Sequence, residues 1–228
     1  MSVPGSWLKG LLFPRRCVLC RKFLTRDELD LCRACRLSAP EYPFGGANPD
    51  STGKNPSQFL DSFTAVWYYE GDVRRSLLRY KFHRATHLAG KFGALLAMRL
   101  LEQGPEEADI LTWVPVGRLR RLRRGFDQCQ LLSEAVGKEL GIPQQKLLRK
   151  IRNNPPQSGL NSVSARKANV LGIYKAVDGI DIRGKRIILV DDIFTTGATM
   201  NECARVLLSA GAKEVHGAAV AAVRYQKK

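Results

Sequence analysis

Two adjacent carboxylates, Asp191 and Asp192, follow the apolar run Ile187-Ile188-Leu189-Val190 and precede Ile193-Phe194-Thr195-Thr196-Gly197-Ala198-Thr199. The run favours β structure and reads as a buried strand with the carboxylates at its end. Adjacent carboxylates there suit a vicinal diol. The Thr/Gly/Ala turn leads into an amphipathic helical pattern, and a helix N-terminus directs unpaired N–H groups and the positive end of its dipole at a phosphate. A diol and a phosphate on one loop describe a ribose 5-phosphate. A strand ending in a capped turn with solvated carboxylates would account for Asp191 and Asp192, but not for the full hydroxyl-rich loop.

The second group able to do chemistry is Cys17-x-x-Cys20 with Cys32-x-x-Cys35. Each pair sets two thiolates on one side of a tight turn, and two such pairs complete a tetrahedral site that suits zinc. Four thiolates leave no open position, so the metal is expected to be structural. The charged stretch from Arg21 to Leu31 cannot form a core, so the metal would have to organise it. The alternative is four incidental or redox-active thiols. Cys129 and Cys203 lie in helical patterns without ligand spacing and read as small apolar residues. His83 and His87 lack a third ligand and read as surface or polar-contact groups, while Trp67, Tyr68 and Tyr69 read as core strand residues.

The elements that position these groups alternate along the chain. Strands are expected at Phe63–Tyr69, Ile110–Val114, Arg186–Val190 and Val215–Val223. Helices are expected at Val73–Phe82, with Val73, Leu77, Leu78 and Phe82 on one stripe, then Leu88–Leu101, Phe126–Leu140 and Thr199–Ala210. This alternation predicts an α/β, doubly wound, mostly parallel sheet with a small N-terminal four-cysteine zinc module. The expected division is a zinc-binding module over 1–38, a linker over 39–58 and the α/β domain over 59–228. A mobile loop is expected over 149–170.

The chain has 228 residues and carries 37 Lys+Arg against 21 Asp+Glu, a net charge of +16. That balance favours polyanionic partners such as nucleic acid or a phosphate-rich substrate; the plain alternative is a generically basic soluble protein. No apolar run approaches the ~20 residues of a membrane span, and Met1–Arg16 lacks a signal-peptide pattern, so no membrane insertion and a cytoplasmic location are expected.

Asp191 through Thr199 resembles the signature of phosphoribosyltransferases that use 5-phosphoribosyl-1-pyrophosphate: two acidic residues, two variable residues, then Thr-Thr-Gly-x-Thr. The resemblance implies that Asp191 and Asp192 bind the ribose hydroxyls, and that Thr195, Thr196, Gly197, Ala198 and Thr199 cradle the 5′-phosphate. It extends to the ComF family of competence-associated phosphoribosyltransferase-like proteins. The matching features are the four-cysteine module, Leu78-Arg79-Tyr80-Lys81-Phe82, Val114-Pro115-Val116 with the basic run and Arg124-Gly125-Phe126-Asp127-Gln128, and Gln157–Leu160 with Arg166-Lys167-Ala168-Asn169-Val170. Two features depart from it: Asp127 stands where the family usually has Asn, and Arg79-Tyr80-Lys81 is shifted against the common pattern.

Carried over, the resemblance places Lys81, Val114 and Pro115 near pyrophosphate, with Arg123 and Arg124 in a flexible catalytic loop able to close over it. Arginines and a magnesium ion would stabilise charge that builds as the C1–O bond breaks. A solvated face for Lys81 and a solubilising role for Arg118–Arg124 stay open. The implied function is a protein that binds phosphoribosyl pyrophosphate and acts in DNA uptake and natural transformation by handling single-stranded DNA. Two other readings stand beside it: a magnesium-dependent phosphoribosyltransferase of nucleotide metabolism with an unknown acceptor, and an adaptor whose zinc module docks a DNA-uptake partner protein. Residues 37–62 or 149–170 are the candidates for an acceptor-binding hood.

Overall fold

Strands β1 (Ser62–Tyr68), β2 (Ile110–Trp113), β5 (Arg186–Phe194) and β6 (Glu214–Ala222) form one sheet in the order β1-β6-β5-β2, every neighbouring pair parallel. The computed structural model describes residues 14–43, 58–152 and 171–224. Gln157–Leu160, Arg166–Val170 and most of the two candidate hood segments lie outside the described residues. Parallel pairing requires crossovers, and helices supply them. Helix α2 (Gly71–Phe82) and α3 (Leu88–Gln103) join β1 to β2, and α6 (Ala198–Ser209) joins β5 to β6. Between β2 and β5 run α4 (Arg118–Arg124), α5 (Gln128–Leu140) and an antiparallel hairpin, β3 (Leu148–Lys150) with β4 (Tyr174–Ala176). A short helix α1 (Arg33–Ser38) closes the cysteine module.

Both faces of the sheet are covered, which is why β5 reads as a continuous apolar run rather than an alternating one. Ile188 and Val190 pack on one side with Val73, Leu77, Phe92 and Leu132 of α2, α3 and α5. Ile187 and Leu189 pack on the other with Met200, Cys203 and Leu207 of α6. Close approach of α3 and α5 depends on Gly93, where a Cβ would meet the Ala135 Cβ at 2.4 Å. The cysteine module sits on the first side: Val18 and Leu19 are buried among the α2 and α3 side chains. Among the described residues no helix is long and apolar enough to cross a membrane.

Three local expectations need correction. Phe82 does not join the buried stripe of α2; it is 62% exposed, and Ser76 and Tyr80 are buried instead. The helix meets the cysteine module and α5 as well as the sheet, so the buried face is wider than an apolar stripe. The basic run is not an irregular loop but the helix α4, opened by extended Gly117 and closed by left-handed Gly125. Strand β5 does not stop at Val190: it continues through both carboxylates to Phe194, because β6 runs alongside with the small residues Ala219, Ala221 and Ala222.

Candidate ribose-phosphate site and cysteine cluster

The last residues of β5 bury Asp192 and leave Asp191 half-buried. Asp192 is 3% exposed, and its Oδ1 receives Lys81 Nζ from the end of α2 at 2.9 Å. Asp191 Oδ1 accepts from the Asp192 backbone N–H at 2.8 Å and from the Cys129 thiol at 3.2 Å. Burial, followed by repulsion from Asp192, pushes the Asp191 carboxyl up to about 7, against the pull of Lys81. Burial alone would lower the Lys81 ammonium, but Asp192 and then Asp191 hold it above its ordinary value. Burial and the same carboxylates push the Cys129 thiol well up, so it stays a protonated donor.

Asp127 sets this geometry from behind. Its Oδ1 caps α5 by accepting from the N–H groups of Cys129 and Gln130 at 3.1 and 3.2 Å, and its Oδ2 accepts from Val116 N–H at 3.3 Å. One carboxylate thereby ties the Val114-Pro115-Val116 turn to the helix that carries Cys129. Burial raises the Asp127 carboxyl although these N–H groups oppose it. Val114 N–H donates to Val190 O at 3.0 Å, so the turn lies beside the residue preceding the acidic pair. Tyr80 OH donates to Gln128 O at 2.6 Å and joins α2 to the start of α5.

Thr195 and Thr196 lead to Gly197, the left-handed N-cap of α6 at φ 71°. The Phe194 ring lies where a side chain there would go, with Cζ 2.5 Å from an added Cβ. Ala198 opens α6 and is buried. Among the described residues, Asp192 Oδ2 and Thr196 Oγ1 are buried polar atoms without a protein partner. Buried polar atoms are ordinarily satisfied, so both fit a ligand that supplies hydroxyl, phosphate or cation contacts.

Lys81, Asp191 and Asp192 thus come together, with Val114, Pro115 and the Thr196–Ala198 turn close in the fold. Arg123 and Arg124 are placed differently: Arg123 is exposed on α4, and the Arg124 guanidinium lies 5.1 Å from the Phe82 ring centroid. Cys129 belongs to the site although its sequence context marked it as a small apolar residue. Nothing in local spacing could signal it, because its partner is remote in the chain. His83 and His87 are exposed, and Trp67 is buried.

The ligand atoms of Cys17, Cys20, Cys32 and Cys35 all lie within 4.8 Å of one another. The first pair closes a tight turn in which Arg21 N–H donates to Cys17 O at 3.0 Å. Cys32 precedes α1 and Cys35 lies within it. Glu28 accepts from the N–H groups of Thr25 and Arg33 at 2.9 and 2.6 Å and orders the intervening segment. Burial raises the Cys17 thiol, but the N–H groups of Cys32, Cys20 and Leu19 outweigh it and bring the pKa down to about 7. Such a donor set, soft and convergent, suits a tetrahedral metal site.

The chain matches a family model and a group of named proteins. A family described as the phosphoribosyl transferase domain matches residues 127–228. Competence protein F of Haemophilus influenzae is 25% identical over 218 residues, covering 89% of this chain and 95% of that protein. The DNA utilization protein YhgH of Escherichia coli O6:H1 is 30% identical over 220 residues, covering 90% of this chain and 96% of that protein. Competence protein ComFC of Bacillus subtilis is 26% identical over 196 residues, covering 86% of this chain and 78% of that protein.

Proposed function

The chain belongs to the family of competence protein F, ComFC and YhgH, and from that premise we propose that it binds 5-phosphoribosyl-1-pyrophosphate at the end of β5 and acts in DNA uptake and utilization. The observation that carries the binding reading is the acidic pair, half-buried Asp191 beside buried Asp192, with two unpartnered polar atoms, Asp192 Oδ2 and Thr196 Oγ1, at the strand-to-helix turn. Asp191 and Asp192 take the ribose hydroxyls. The Thr195–Thr199 turn takes the 5′-phosphate, because the first N–H groups of α6 lack partners within the helix. Lys81 holds the acidic pair against its own repulsion, which keeps two adjacent carboxylates at one strand end.

Magnesium suits this site because hard carboxylate oxygens face it and Asp192 Oδ2 is unpartnered. It would supply neutralisation of pyrophosphate charge. Zinc suits the cluster of Cys17, Cys20, Cys32 and Cys35 and would serve as a structural metal. The nucleic-acid part of the reading is supported by the net charge of +16 and by Arg121 and Arg123, both exposed on α4. Calorimetry tests the binding reading. Phosphoribosyl pyrophosphate with magnesium is expected to bind wild type, and Asp191→Asn with Asp192→Asn to weaken it at least about 100-fold. Equal affinity in the double variant would exclude the acidic pair as the ribose site.

A further inference from the structure

The cysteine module and the acidic site share one helix. In the first knuckle, the carbonyls of Val18 and Leu19 lie between the ligands Cys17 and Cys20 and point to α2. Arg79 Nη2 donates to Val18 O at 3.0 Å and to Leu19 O at 2.8 Å. Ser76 Oγ, fully buried one turn earlier, also donates to Val18 O. Lys91 of α3 grips the same module through Asp30 at 3.3 Å and Arg16 O at 3.2 Å. Two residues beyond Arg79, Lys81 Nζ reaches Asp192.

We propose that the four-cysteine module is a positioning element for the acidic site: the knuckle, gripped by Ser76 and Arg79, sets the last turn of α2 and so holds Lys81 on Asp192. The physical logic is that of an outer layer that orients the groups in contact with a ligand. Knuckle carbonyls hold a defined position only while their flanking thiolates converge, and a bound metal makes them converge. Arg79 is then a positioning residue, and metal occupancy and ribose-phosphate affinity are coupled. The affinity part rests on the binding function proposed above; the placement of α2 does not.

The experiment compares wild type, Arg79→Met and a control, Arg75→Met, in the full chain as purified. Arg75 lies on the same helix and, among the described residues, pairs with Asp72 at an exposed site. Zinc content, hydrogen exchange of the Leu77–Phe82 segment, and affinity for phosphoribosyl pyrophosphate with magnesium are measured. Arg79→Met is expected to keep its zinc, to exchange about tenfold faster in that segment, and to bind the ligand about tenfold more weakly, with Arg75→Met unchanged. Unchanged exchange overturns the proposal and assigns the placement of α2 to Tyr80 alone. Faster exchange with undiminished affinity overturns it as well, as does wild type without zinc. Absence of ligand binding in wild type removes the ribose-phosphate reading, and exchange then decides the placement of α2.

Discussion

The cysteine module draws its ligands from one short stretch, Cys17 to Cys35, whereas the acidic site draws Lys81 from α2, Cys129 from α5 and Asp191 and Asp192 from β5. The first is a local device whose convergent sulfurs call for a metal. The second is a product of the whole fold, in which desolvation raises one carboxyl and a half-buried ammonium offsets the pair. The contrast teaches where each should fail: the module through loss of its ion, the acidic site through loss of a long-range partner.

The largest effect is expected in the module. Cys32→Ser should reduce zinc to near zero by elemental analysis and unravel residues around the knuckles, because structural zinc sites contribute on the order of 10 kcal/mol of apparent binding free energy. Retained zinc would erase the contrast with the acidic site. Next comes Lys81→Met, which leaves Asp192 buried beside Asp191 without its cation. Urea titration at neutral pH should show a loss of about 3–5 kcal/mol, much of it recovered when Asp192→Asn is added. An unchanged midpoint would mean that solvent neutralises the pair.

Gly197→Ala should cost about 1–3 kcal/mol, since it strains a left-handed position and drives a Cβ into the Phe194 ring. Thermal melting checks this, and full stability would show that the turn gives way easily. A further effect concerns pH. Asp191 titrates at about 7 in the folded protein against an ordinary value of 3.8, so the folded state binds this proton more tightly. The stability it contributes is complete below about pH 4 and is lost as the pH rises through 7. Urea midpoints for wild type should fall between those limits, and Asp191→Asn should flatten the trend. Parallel trends would place the titration on another group.

The two regions also differ in how far they could be read beforehand. The cysteine pairs are legible because a knuckle is set by spacing, and the β5 run and the Thr-Thr-Gly turn because strand propensity and helix-start chemistry act over a few residues. Their neighbours are another matter. Lys81 reads equally well as a solvated side chain until α2 is docked. Cys129 carries no motif, and its place beside Asp191 depends on the cap that Asp127 provides. Phe82 follows an apolar stripe yet stays exposed, because periodicity cannot say which faces of a helix meet a second module. The basic run carried no apolar face to signal α4, and its leucines, Leu119 and Leu122, remain exposed.

What the amino-acid order alone determined was the main local units: two knuckles, the strands and helices of the parallel sheet, a basic surface, and an acidic pair joined to a hydroxyl-rich turn. Tertiary structure decided the protonation of Asp191 and the company of that pair. Burial raised Asp191, docking of α2 brought Lys81 to Asp192, and the α5 cap delivered Cys129. The physical reason is range. Propensity, capping and spacing act between near neighbours, while desolvation and ion pairing depend on which remote elements pack together.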